Sequence, residues 1–128
     1  MPLIIEGMAV AGTEAVYPYL TPSAYLHFPE DEVIAQEGGL MSSSRQFLRL
    51  LADGAGPDQY ESWFTNTADP TVPQRGGYLL GYEVAKRLLA TYPMEQMIRL
   101  TPAQLREHVE EELLGIASDQ TILLVAGN

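Results

Sequence analysis

Gly77-Tyr78-Leu79-Leu80-Gly81-Tyr82-Glu83-Val84-Ala85-Lys86-Arg87-Leu88-Leu89-Ala90-Thr91-Tyr92-Pro93 is the stretch from which the fold reads most directly. Tyr78, Tyr82, Ala85, Leu89 and Tyr92 recur at steps of four and three, so they share one face of an α-helix, and Leu80, Val84 and Leu88 form a neighbouring stripe. Pro93 closes that helix, because its ring clashes with the preceding turn and removes an N–H donor.

Downstream, Met94 to Leu100 is a short segment, and Thr101-Pro102-Ala103-Gln104 has a threonine cap, a proline at the first helical position and a glutamine at the third. This is a capping box, which predicts a last helix from Pro102 to about Leu114 with Leu105, Val109 and Leu113 inward. Upstream, Asn66 to Gly77 is a long polar loop, and Gln59 to Phe64 can form a helical turn. Ser42-Ser43-Ser44 reads as the N-cap of an amphipathic helix with Phe47, Leu48, Leu50 and Leu51 inward, ended by Gly54. Gly38-Gly39 is a stop or turn, and Pro29-Glu30-Asp31-Glu32 reads as a helix start. Leu3 to about Glu14 reads as a mostly buried, central helix, apolar nearly all round, with Gly7, Ala9, Ala11 and Gly12 small enough for close packing. Thr121-Ile122-Leu123-Leu124-Val125 is the one β-like run, and a lone strand lacks partners. The expected fold class is mainly α.

At 128 residues the chain is the size of one domain. Apolar residues make up 46% and charged residues 19%, too apolar for intrinsic disorder, and no apolar stretch reaches the length of a membrane span. A net charge of −10, from 17 acidic against 7 basic residues, repels phosphate backbones and anionic lipids, so neither nucleic acid nor membrane insertion is expected. The absence of cysteine removes disulfides, thiolate catalysis and sulfur-ligated metals. Met-Pro-Leu-Ile-Ile opens in a helix interior without a cap, which points to an upstream part of a larger domain.

Glu6 is the only charged side chain between Met1 and Gly12. A carboxylate among apolar residues normally neutralises, finds a cation or binds a metal, and near a helix start it can also simply favour the positive end of the dipole. Metal-binding partners are scarce. The two histidines are His27, between Leu26 and Phe28 and read as packed or hydrogen-bonded, and His108, which shares a helix face with Glu112 and can form an i,i+4 pair there, read as structural pairing or plain solvation rather than metal binding. There is no H-E-x-x-H and no G-x-S-x-G. Arg75 beside Gly76-Gly77 at a helix start is a weak anion-binding signal.

Three segments together carry a family resemblance. Ile5-Glu6-Gly7-Met8-Ala9 resembles the E-G-x-A helix of gluzincin metallopeptidases, Arg75-Gly76-Gly77-Tyr78-Leu79-Leu80-Gly81-Tyr82-Glu83-Val84 resembles a "gY-x-x-GY" helix start, and Met97-Ile98-Arg99-Leu100-Thr101-Pro102-Ala103-Gln104-Leu105 resembles an "ell-x-x-p-x-x-l" segment. In this order they are similar to the C-terminal part of a bacterial family of predicted zinc-dependent proteases, a domain of unknown function allied to gliding-motility lipoproteins. The resemblance implies a partial zincin-like helical subdomain in which Glu6 is the third Zn²⁺ ligand. The two histidine ligands and the base glutamate would come from the H-E-x-x-H helix that this sequence lacks, so no cofactor is expected for the chain alone. Zinc would lower the pKa of its bound water towards roughly 7 for attack on a peptide carbonyl. Tyr78, Tyr82 and Arg75 are the candidate donors to the developing oxyanion, or the two tyrosines are core aromatics.

Residues 1–128 are therefore expected to be a single helical domain or the C-terminal fragment of a larger metallopeptidase domain. In the first reading of function the chain contributes the third metal ligand and substrate-side helices to a hydrolase of peptides or proteins, without activity by itself. In the alternative it is a metal-less pseudo-enzyme or a non-enzymatic, acidic helical module that binds a protein.

Overall fold

A computed structural model describes residues 2–65 and 75–118. The expected loop through residue 74 and the β-like run Thr121 to Val125 lie outside them. Among the described residues the chain is mainly helical, with α1 (Pro2–Val16), α2 (Pro22–Leu26), α3 (Glu30–Gly38), α4 (Leu40–Ala52), α5 (Pro57–Glu61), α6 (Gly76–Thr91), α7 (Met94–Met97) and α8 (Pro102–Ala117), and no strand.

The architecture is organised on the crossing of α1 and α6. A Cβ added to Gly7 would lie under 3.0 Å from the Gly81 carbonyl, and one added to Gly81 would lie under 3.0 Å from the Leu3 carbonyl oxygen. Only glycine permits such a backbone approach, so the glycines of the E-G and G-Y-x-x-G-Y segments are two halves of one contact. Beside it Leu3, Ile4 and Ala11 of α1 pack onto Leu79, Leu80, Val84 and Leu88 of α6, all buried. The expectation of a mostly buried helix is corrected. α1 is central, but it is covered along one face only: Ile5 is 65% exposed, and Ala9 and Thr13 are exposed as well. The close crossing seats the glycine side of α1 on α6 and leaves the other side uncovered.

α6 buries a wider arc than its tyrosine face. The Leu80, Val84 and Leu88 stripe is completely buried, whereas Tyr78, Leu89 and Tyr92 are half-buried at its margin. The helix ends at Thr91 before Tyr92 and Pro93.

α4 and α8 pack antiparallel. Ser44 Oγ donates to the Leu113 carbonyl at 2.6 Å, Arg45 Nη2 to the Ala117 carbonyl at 3.0 Å and Arg106 Nη2 to the Leu51 carbonyl at 2.9 Å. Each arginine thus donates to a carbonyl in the last turn of the facing helix, where the regular helical donors run out. The expected serine cap is overturned by this contact. α4 begins at Leu40, with the Ser43 N–H donating to the Gly39 carbonyl at 2.9 Å, and Ser43 and Ser44 are buried within the helix. Gly39 breaks the chain direction early enough to start the helix two residues before the serines, and Ser44 then finds its acceptor on α8.

Gly54, with φ of 65°, ends α4 as expected, its own N–H reaching the Leu51 carbonyl and that of Ala55 reaching Leu50. The turn after α5 brings Trp63 edge-on to Phe47, with ring centroids 5.3 Å apart, and both are almost fully buried. The capping box at α8 forms as read: the Gln104 N–H donates to Thr101 Oγ1 at 3.2 Å and the Thr101 N–H to Gln104 Oε1 at 3.0 Å. That helix continues to Ala117, about one turn beyond expectation, because Ile116 and Ala117 also reach the core.

Candidate functional site

Beside the glycine crossing a cleft of about 410 Å³ opens between α1, α2 and the start of α6. Its volume falls within the usual range for small-ligand sites. One wall is the face of α1 that carries Glu6, Ala9, Val10 and Thr13, at helical spacing. The facing wall is α2 with its flanks, including Tyr17, Leu20, Leu26 and His27, and Arg75 with Tyr78 closes the end. The lip is stapled by Tyr25, whose hydroxyl donates to the Tyr17 carbonyl and accepts from the Leu20 N–H at 3.1 Å.

Glu6 is half-buried and lines this cleft, together with two of the three donor candidates, Arg75 and Tyr78. The Arg75 guanidinium carbon lies 4.8 Å from the Phe28 ring centroid and 5.1 Å from that of Tyr78, so the cation sits in the corner of two aromatic rings. Tyr78 is itself fixed edge-on against Phe28 and Phe64. Gly77 contributes to this arrangement, since a Cβ there would lie 2.8 Å from the Phe64 ring and 2.9 Å from the Trp63 carbonyl oxygen.

Tyr82 is elsewhere. It does not line the cleft; its ring is buried, its hydroxyl donates to the Glu14 carboxylate, and Lys86 Nζ stands 4.6 Å from the ring centroid. Burial, and then the hydrogen bond and charge of Glu14, push the Tyr82 hydroxyl well above its ordinary pKa of about 10. The raised value belongs to the folded state, so the stability this group contributes is complete below pH of about 10 and declines as pH climbs from there towards the folded-state value. Denaturant midpoints of wild type are accordingly expected to fall through this alkaline range more steeply than those of Tyr82→Phe. Equal slopes would show that the hydroxyl is not tied to Glu14 in solution.

The histidine expectations are corrected. His27 is exposed rather than packed, because it ends α2 in a left-handed conformation with φ of 58°, which turns it towards the cleft mouth. His108 Nδ1 faces Glu111 at 3.8 Å instead of Glu112, and its ring lies 4.9 Å from that of Tyr92. Among the described residues no group of three or more His, Asp or Glu could hold a metal ion. His27 is the cleft residue that sequence reasoning missed, and its left-handed backbone has no signature in the local sequence. The other described non-glycine residue with positive φ is Arg75, at 52°. Left-handed backbone at non-glycine residues is uncommon and concentrates at functional sites, and here both instances border one cleft.

On another part of α1, Ile4, Ile5 and Met8 form an apolar groove with Met97, Ile98, Leu100 and Leu105. Among the described residues no helix is long and apolar enough to cross a membrane. No protein-family model, no curated protein and no solved structure matches the chain.

Proposed function

We propose that this chain forms the carboxylate-bearing wall of a zinc-dependent peptidase site, with Glu6 as the third metal ligand and with Arg75 and Tyr78 as donors to the substrate. The single observation that carries this reading is the interlocking of Gly7 with Gly81. It joins two of the three segments of the family resemblance at their glycines, and Glu6 and Tyr78 on either side of that joint border one cleft.

The cleft offers one carboxylate and one imidazole, and catalytic zinc ordinarily takes three protein ligands, so this chain alone does not fit the metal. In the proposed enzyme the remaining histidines and the general base belong to an H-E-x-x-H helix, which this sequence does not contain. Bound zinc would supply Lewis acidity and an activated water. The chain's own residues have simpler tasks. Arg75 and Tyr78 donate hydrogen bonds where negative charge develops on a peptide oxygen, an effect worth about 3 kcal/mol for a well-placed donor. Ala9 and Val10 on one wall and Leu26 on the other offer apolar surface for a substrate side chain. Tyr82, committed to Glu14, has a structural role in this scheme.

The test has two arms. Zinc titration of this chain alone is expected to show no tight stoichiometric site, and sub-micromolar binding lost on His27→Ala or His108→Ala would overturn the reading. The reading frame upstream of Met1 is expected to encode H-E-x-x-H. The product of that longer frame should retain zinc through gel filtration, and Glu6→Ala should lose it. An in-frame stop with no such motif would leave the second reading, a non-catalytic acidic module that binds a protein partner. That reading is favoured by the apolar groove on α1, where Ile5 and Ile98 are 65% and 74% exposed.

A further inference from the structure

Seven basic residues serve a chain with 17 acidic ones, yet among the described residues no carboxylate pairs with Arg75. Its guanidinium is held instead by the faces of Phe28 and Tyr78. The two rings stand at 82° to one another, so they flank the guanidinium on two sides of a corner, and a cation already held in place has less entropy to lose on binding. Arg75 borders an open cleft with Tyr78 beside it, and Ala9, Val10 and Leu26 give the cleft apolar walls.

We infer that the Arg75 end of the cleft captures a carboxylate, and that its natural ligand is the free C-terminus of a peptide with an apolar last residue. A carboxylate matches the guanidinium fork with two parallel hydrogen bonds. Glu6 on the adjoining wall and the net charge of −10 disfavour more highly charged anions such as phosphate. The volume of about 410 Å³ suits a peptide end rather than a longer polymer segment. Carboxylate capture stands without the metal; its extension, that the assembled enzyme removes residues from peptide C-termini, rests on the peptidase reading.

The experiment is a ¹H-¹⁵N NMR titration of the 128-residue chain with N-acetyl-glycyl-leucine and with its C-terminal amide. The acid is expected to shift the amides of Ala9, Val10 and Tyr78 saturably, and the neutral amide to bind roughly tenfold more weakly or not at all, as loss of a charge-assisted hydrogen-bond pair implies. Arg75→Gln should erase the preference for the acid, and Arg75→Lys should retain part of it, because a lysine keeps the charge without the fork. The chain alone is expected to hold no zinc, so failure of this titration would count against carboxylate capture, and failure of the longer product to retain zinc would count against the peptidase reading. Equal binding of acid and amide, absence of shifts at the cleft with millimolar acid, or displacement of the acid by an equal concentration of inorganic phosphate would each overturn the inference. The acid–amide comparison on wild type decides the matter even if an Arg75 variant fails to fold.

Discussion

Replacement of Gly7 with alanine is expected to be the most damaging single-methyl change in this protein. The added Cβ would meet the backbone of Gly81 rather than a side chain that could swing aside, so α1 and α6 must move apart as units. Overpacking of a core usually costs about 1–3 kcal/mol, and a backbone collision at the central crossing belongs at or above the top of that range. Against a total stability on the order of 5–15 kcal/mol, such a loss lowers the melting temperature by many degrees or prevents folding. Gly12→Ala, in the same helix, is the matched control. A Cβ at Gly12 meets nothing within 4 Å, so removal of a helical glycine is expected to stabilise by roughly 1 kcal/mol. Thermal unfolding by circular dichroism reads both, and a Gly7→Ala protein as stable as wild type would refute the crossing. The consequence extends to the site. Separation of the helices also separates Glu6 from Tyr78, which border the cleft from the two partners of this contact.

Phe47→Ala is expected to cost about 3–5 kcal/mol, the range for removal of a fully buried aromatic ring. Phe47 is wholly inaccessible, lies edge-on to Trp63 at 5.3 Å and stands 5.7 Å from the Tyr60 ring, so its loss empties the junction between α4 and the turn after α5. Trp63 is the single tryptophan and reports on that junction directly. Its emission should shift to the red at lower denaturant in the variant, with the midpoint moving in proportion to the lost stability. Phe47→Leu, which keeps most of the volume, should lose far less. A cost under about 1 kcal/mol for the alanine variant would mean that the cavity collapses or that Phe47 is not central.

Elements defined by local chemistry are legible in the sequence alone. The repeat from Tyr78 to Tyr92, the closing proline, the Thr101 and Gln104 box and the stop at Gly54 depend on residues within a turn or two of each other, and each appears where it was read. Errors arose where the partner lies far away in sequence. The serines looked like a cap because the acceptor of Ser44 is Leu113, 69 residues distant. His27 looked packed because its neighbours are apolar, whereas the left-handed end of α2 turns it outwards. Glu6 stands out in the sequence as the only charged side chain between Met1 and Gly12, yet nothing near it in the chain indicates that Arg75 and Tyr78 border the same space.

By itself, then, the amino-acid sequence determined a mainly helical chain, the stops of α4 and α6, the start of α8 and most of the polar residues from which a site could be built. Only the tertiary structure decided that Arg75 and Tyr78 share a cleft with Glu6 while Tyr82 is turned to Glu14. The physical reason is range. Helix periodicity and capping are written in contacts within a few residues, whereas a cleft is the space left between helices, and its shape here depends on two glycines 74 positions apart meeting backbone to backbone.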